Sequence, residues 1–202
     1  MDVTEGDSQG MARRAEPVAA WPDAPRLRPE MPLPAYRFVP GWNAHPTESP
    51  EGHSYGKSQQ VSRLVPERWR ENDDYLYGID LYHRGYYWEA HEAWEGLWRQ
   101  TSRDSCEGLF LQGLILNSAA QLKIHLGSTR GARSLSRSAE ERLVRVLASG
   151  RCERGDCFMG LNVSDLLTTL RVHYGPLWES AGNCEIRLQG RPPLLLPAGF
   201  DR

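Results

Sequence analysis

Residues 106–126 read CEGLFLQGLILNSAAQLKIHL. Leu109, Phe110, Leu111, Leu114, Ile115, Leu116, Leu122 and Ile124 fall nearly all round a helical wheel. A helix that is apolar on every side cannot lie on a surface, so it must be wrapped by other elements. Ser105 closes a turn before it, and Gly127 ends it. The reading of this stretch therefore sets the expectation for the chain: a central helix with helical neighbours.

Those neighbours are legible on both sides. A first helix is expected from Pro66, a residue suited to a first helical turn, to about Arg84, where Gly85 breaks it. A second should run from Tyr86 to about Gln100. A fourth should span 129–148, with Leu135, Ala139, Leu143 and Val146 or Leu147 forming one buried stripe opposite its arginines. The segment SGRCERGDCFMG reads as a loop. A short fifth helix is expected from a Ser164 cap to about Tyr174. Strand signals are weak, and EIRLQ (185–189) is the one candidate. The expected fold class is all-α: a compact antiparallel bundle of about five helices joined by short connections.

Outside the bundle the character changes. Nine of the 14 prolines fall in the first 50 residues, where aliphatic residues are sparse, so this part cannot build a core of its own. Residues 1–57 form a Pro-rich arm, with disorder expected over 1–30. Beyond that, Tyr36, Phe38, Trp42 and Tyr55 suggest an extended run laid across the body. The helical domain is expected over 58–180 and an extended tail over 181–202. The net charge of -2, without long blocks of one sign, argues against generic binding to nucleic acid or an anionic membrane. No apolar run approaches a membrane span of roughly 18 residues. The acidic first residues are unlike a Sec leader, so the cytoplasm is the expected compartment. Cys106, Cys152, Cys157 and Cys184 contain no C-x-x-C pair and read as reduced thiols, with a Cys152–Cys157 redox or metal pair as the alternative.

The second helix carries the chemistry. YYWEAHEAWEGLW, residues 86–98, mixes three carboxylates and one imidazole with five aromatic rings. Glu89, Glu92 and Glu95 follow at i+3 steps, and His91 pairs with Glu95 at i+4, so these side chains meet. Acids that crowd beside indoles need a counter-charge, a shared proton or water. A divalent cation or a shared proton would make the place reactive. The stretch His91-Glu92-Ala93-Trp94-Glu95 is H-E-x-x-E, one residue away from the zinc helix H-E-x-x-H. A mixed nitrogen and oxygen donor set suits zinc, manganese or iron. Further ligands would come from Asp80, His83, Gln112, Asn117, or from His45 and His53 in the arm. The competing reading is a buried polar network, with Glu89 and Glu92 paired to Arg84, Arg99 or Arg103 and the tryptophans in a core or a dimer seam.

GYYWEAHEAWEGLW, FLQGLILNSAAQLK and GSTRGARSLSRSAEERL resemble the bacterial and archaeal domain-of-unknown-function family 309, over about residues 75–175. The resemblance rests on Glu89, His91, Glu92, Glu95 and Trp98, with Gln112-Gly113 on the next helix. It implies an all-helical fold and the family's label of predicted metal-dependent hydrolase, with no substrate named. His83 stands where the family has asparagine, as does Ser128 after its glycine. The arm lies outside the resemblance.

The site expected from these readings has His91 and Glu95 as metal ligands. Glu92 is the base, Glu89 and Gln112 orient or complete the shell, and Asp80 and Trp98 support it. His45 and His53 are arm candidates for capping. The expected partner is a small-molecule substrate, with neither nucleic acid nor membrane, in a monomer or a homo-oligomer. The alternative is a non-catalytic binding or assembly module. The arginines of the fourth helix read as a solvated face, and His125 and His173 as helix-end residues. Neither a phosphate-binding glycine loop nor a G-x-S-x-G motif occurs.

Overall fold

The central helix, α3 (Cys106–His125), is buried over most of its surface: Leu109, Phe110, Leu114, Asn117, Ser118 and Gln121 all lie inside, and a stripe of Gln112, Leu116, Ala119 and Lys123 reaches outward. Its N-cap is Ser105, whose hydroxyl accepts from Gly108 N. α4 (Thr129–Ala148) packs along one side of it, and α2 (Tyr87–Trp98) along another. α1 (Asp73–His83) covers α2, and α5 (Val163–Glu179) covers α4. The computed structural model describes residues 19–57, 60–153, 155–180, 188 and 191–200. Among them the architecture is an all-α bundle. Of the stripe expected on α4, Ala139, Leu143 and Val146 are buried, Leu135 is only half-buried, and Ala132 and Ser136 complete the inner face instead. Where the wrapping helices meet α3, Tyr174 donates to Asn117 Oδ1 at 2.8 Å, and Asn117 Nδ2 donates to the Tyr82 hydroxyl at 3.0 Å. This chain joins α1, α3 and α5 and satisfies polar groups that water cannot reach.

Three sequence expectations are corrected. The first helix is two pieces, a 3-10 helix at Pro66–Glu71 and then α1. The break is at Asn72, whose extended backbone lets its side chain accept from Tyr75 N. The fifth helix is capped by Asn162, not Ser164, and continues past Tyr174 to Glu179 with Pro176 in its last turn. A proline there forfeits one intrahelical bond, and buried Tyr174 and Leu177 hold the turn in place. The loop before α5 contains a small hairpin, β1 (Cys157–Phe158) against β2 (Leu161–Asn162), turned by Met159 and Gly160 at positive φ. The EIRLQ segment lies almost wholly outside the described residues.

The arm is ordered earlier than expected. Ala24 and Leu27 are buried, so packing starts before residue 30. The cause is Asp80, fully buried on α1. Its carboxylate accepts from Arg26 Nε at 2.9 Å, Leu27 N at 2.8 Å and Arg28 N at 2.8 Å. Farther along, Tyr77 donates to Pro32 O and Tyr86 to Pro34 O. A chain without helix or strand thus has its backbone groups satisfied by side chains of the body.

The other end is held by His83. Its Nε2 accepts from Leu195 N at 3.1 Å, and its carbonyl accepts from Trp21 N at 3.0 Å. Burial first, and then the Arg84 charge, push the imidazole down from 6.5 to about 4. Below pH 6.5 the unfolded chain therefore takes a proton that the folded chain refuses. The stabilisation is whole above the unfolded value and is lost as pH falls through the folded one. About 3 kcal/mol is at stake. The stability gap between the wild type and His83→Gln, from urea midpoints at pH 7 down to 4, is expected to move against the wild type by this amount; a gap independent of pH contradicts it. No described helix is long and apolar enough to cross a membrane.

Candidate functional site

α2 presents its acids in two directions. Glu89, in its first turn, points under the arm and is 6% exposed. One oxygen, Oε1, accepts from Phe38 N at 2.8 Å and lies 3.2 Å from His53 Nε2. The other, Oε2, is buried without a partner among the described residues. Burial is the main reason the carboxyl is pushed up to about 7, against the backbone bond from Phe38 that favours the anion. His53 is itself pushed down, by burial and then by Lys57. Its Nδ1 lies 2.8 Å from Ser54 Oγ, and its ring meets Tyr36 edge-on at 4.7 Å.

Arm and helices enclose a cavity of about 320 Å³. Pro34, Thr47, His53, Ser54 and Lys57 come from the arm, Tyr77 and Leu81 from α1, and Trp88, Glu89, Glu92 and Ala93 from α2. The roof is pinned by Phe38 and His45, whose rings pack edge-on against Trp88 at 5.1 and 5.4 Å. His45 Nδ1 accepts from Glu48 N, which shapes the arm's own turn.

One turn along, the second group begins. Donor atoms of His91, Glu92 and Glu95 all lie within 4.8 Å of one another. Their side chains are 28%, 36% and 24% exposed, so the cluster opens toward solvent. His91 Nδ1 comes within 3.2 Å of Glu92 Oε1, yet it makes no well-aligned hydrogen bond among the described residues. His91 is the first cause that holds Glu92 below the usual carboxylate range, with Arg99 and His45 adding to it against burial. Arg99 lies 3.1 Å from Glu95. Glu92 thus belongs both to the cluster and to the cavity wall.

Residues 75–135 match the family model described as a domain of unknown function, DUF309. No curated protein matches the chain. The matched segment contains all but the first two residues of α1, all of α2 and α3 and the start of α4, and so contains the cluster and the floor of the cavity. The arm that roofs the cavity lies outside it.

Other expected site residues are placed elsewhere. Both oxygens of Asp80 are engaged by the arm, Oδ1 by Leu27 N and Oδ2 by Arg26 Nε and Arg28 N, so it stands apart from the cluster. Gln112 accepts from Arg142 Nε at 2.7 Å and ties α3 to α4. Trp98 lies beneath Arg103, with the guanidinium 5.7 Å from its ring. Asn117 and His83 serve the interior and the tail. His125 packs on Trp42 of the arm at 5.1 Å, and His173 on α5 is buried beside Gln121. The arginines of α4 work locally. Arg133 holds Leu177 O, Arg145 pairs with Asp104, and Arg137 covers Trp178. Cys106, Cys152 and Cys157 are free thiols, and Cys184 lies outside the described residues. The sequence reading missed Tyr77 and Lys57 as cavity residues. Neither carries a local signal, because only the docking of the arm brings them together.

Proposed function

We propose that the chain is a metal-dependent hydrolase acting on a small molecule held in the arm-roofed cavity, with the metal at its edge. The observation that carries this reading is the convergence of His91, Glu92 and Glu95. Their donor set, one imidazole and two carboxylates, fits zinc, manganese or iron. The unaligned His91 Nδ1 supports the fit, since a buried ring nitrogen without a good partner is available to a cation. Arg99 competes for Glu95 and would have to turn toward solvent, where it is already 68% exposed. When bound, a divalent ion would supply Lewis-acid polarisation and an activated water. Glu92, drawn into the cluster, is better suited to hold the ion than to take a proton. Glu89 is the candidate for proton transfer: it lines the cavity, its Oε2 is buried without a partner among the described residues, and His53 lies beside its other oxygen.

The test begins with protein stripped by chelator. Zinc or manganese in about hundredfold excess over Kd is expected to stabilise the wild type by about 2.7 kcal/mol. It should leave His91→Ala unmoved in a thermal scan. Hydrolysis of p-nitrophenyl acetate or bis(p-nitrophenyl) phosphate should then depend on the added ion and fall in Glu89→Gln. An unshifted wild type, or an equal shift in His91→Ala, defeats the metal reading. A second reading, a non-catalytic binding module, is favoured by the use of Asp80 and Glu89 as docking points for the arm. It predicts saturable ligand binding without turnover.

A further inference from the structure

We infer that the cavity takes a small molecule with a protonated amine on a flat apolar body. The inference uses the cavity of the preceding reading but not its metal. The volume, about 320 Å³, lies at the lower end of small-molecule sites. Leu81, Ala93 and Pro34 make the walls apolar, and the aromatic side chains of Tyr77 and Trp88 line the cavity with them. The polar groups decide what fits. Both ring nitrogens of His53 are engaged, by Ser54 and by Glu89. Lys57 is exposed, with its ammonium on His53 O at 2.7 Å. What is left deep in the wall is Glu89 Oε2, on a side chain more than nine-tenths buried and without a partner. A buried carboxylate oxygen needs a donor, and Glu92 beside it makes a cationic donor better than a neutral one. An anionic ligand would meet two carboxylates.

Calorimetry on the full chain, with a chelator present, tests this with three probes of one shape: phenethylamine, 2-phenylethanol and phenylacetate. Phenethylamine is expected to bind saturably. The other two should bind at least about tenfold more weakly, the measure of one charge-assisted hydrogen bond. Glu89→Gln keeps an acceptor for Phe38 N and should lose at least about tenfold for the amine. Trp88→Phe, which spares the Glu89 contacts, should lose less. Equal binding of the three probes, no saturation by the amine, or an unchanged Glu89→Gln overturns the inference. Amine binding that appears only with added zinc also overturns it, while leaving the metal reading intact. Amine binding in chelator, alongside a wild type that zinc does not shift, upholds it while the metal reading falls.

Discussion

Asp80→Ala is expected to free the first described part of the arm while the bundle stays folded. Three donors converge on this carboxylate, one of them a guanidinium, and the side chain is fully buried. Breaking such a group by removing one partner costs about 3–5 kcal/mol, because the remaining partners stay desolvated and unmatched. The protein has a cheaper answer. Residues 24–31 can leave the surface and hydrate their own polar groups, so the loss seen in a urea titration is capped by the free energy of docking the arm. The variant should therefore show a modest fall in midpoint together with a large local change. Amides of Leu27 and Arg28 should exchange orders of magnitude faster, and trypsin should cut after Arg26 under native conditions. Asp80→Asn should recover only part of the protection, since its amide offers one acceptor and turns a donor toward other donors. Unchanged exchange at Leu27 and Arg28 would show that Asp80 does not anchor the arm.

This division of labour explains what could be read from the sequence. The bundle was legible because burial repeats with the helical period. Cys106–His125 is apolar all round, and α4 carries one stripe, and no distant residue is needed to see either. The break at Asn72 was hidden because a capping asparagine also suits a helix surface, and only its bond to Tyr75 N reveals the cap. The site was legible in part. Spacing on one helix brings Glu92, His91 and Glu95 together. That Glu89 stays out of the cluster and turns to His53 follows from the arm's docking, 36 residues upstream. Asp80 looked like a metal ligand for the same reason that it anchors the arm: a buried acid needs donors, and sequence cannot say whether they are a cation or a backbone.

The largest loss of stability is expected from Gly78→Ala. Gly78 on α1 faces the indole of Trp94 on α2, and a Cβ there would lie well inside contact distance of Nε1, Cε2 and Cδ1. The indole cannot step aside. Trp94 is fully buried, and its Nε1 donates to Tyr75 O at 3.1 Å, on the same helix as the glycine. The added methyl must push α1 and α2 apart, and with them the arm and the cavity floor. Overpacking costs typically about 1–3 kcal/mol, and a rigid neighbour puts this site at about 3 kcal/mol or above. Trp94→Phe alone is also destabilising, since it removes the bond to Tyr75 O and leaves a void. In the double variant, however, the missing pyrrole edge makes room for the methyl. The two changes should therefore be less harmful together than their sum, by at least about 1 kcal/mol in a double-mutant cycle of urea midpoints. Additive losses would mean that the helices yield at Gly78 by some other route, and that Trp94 is not what fixes the distance between α1 and α2.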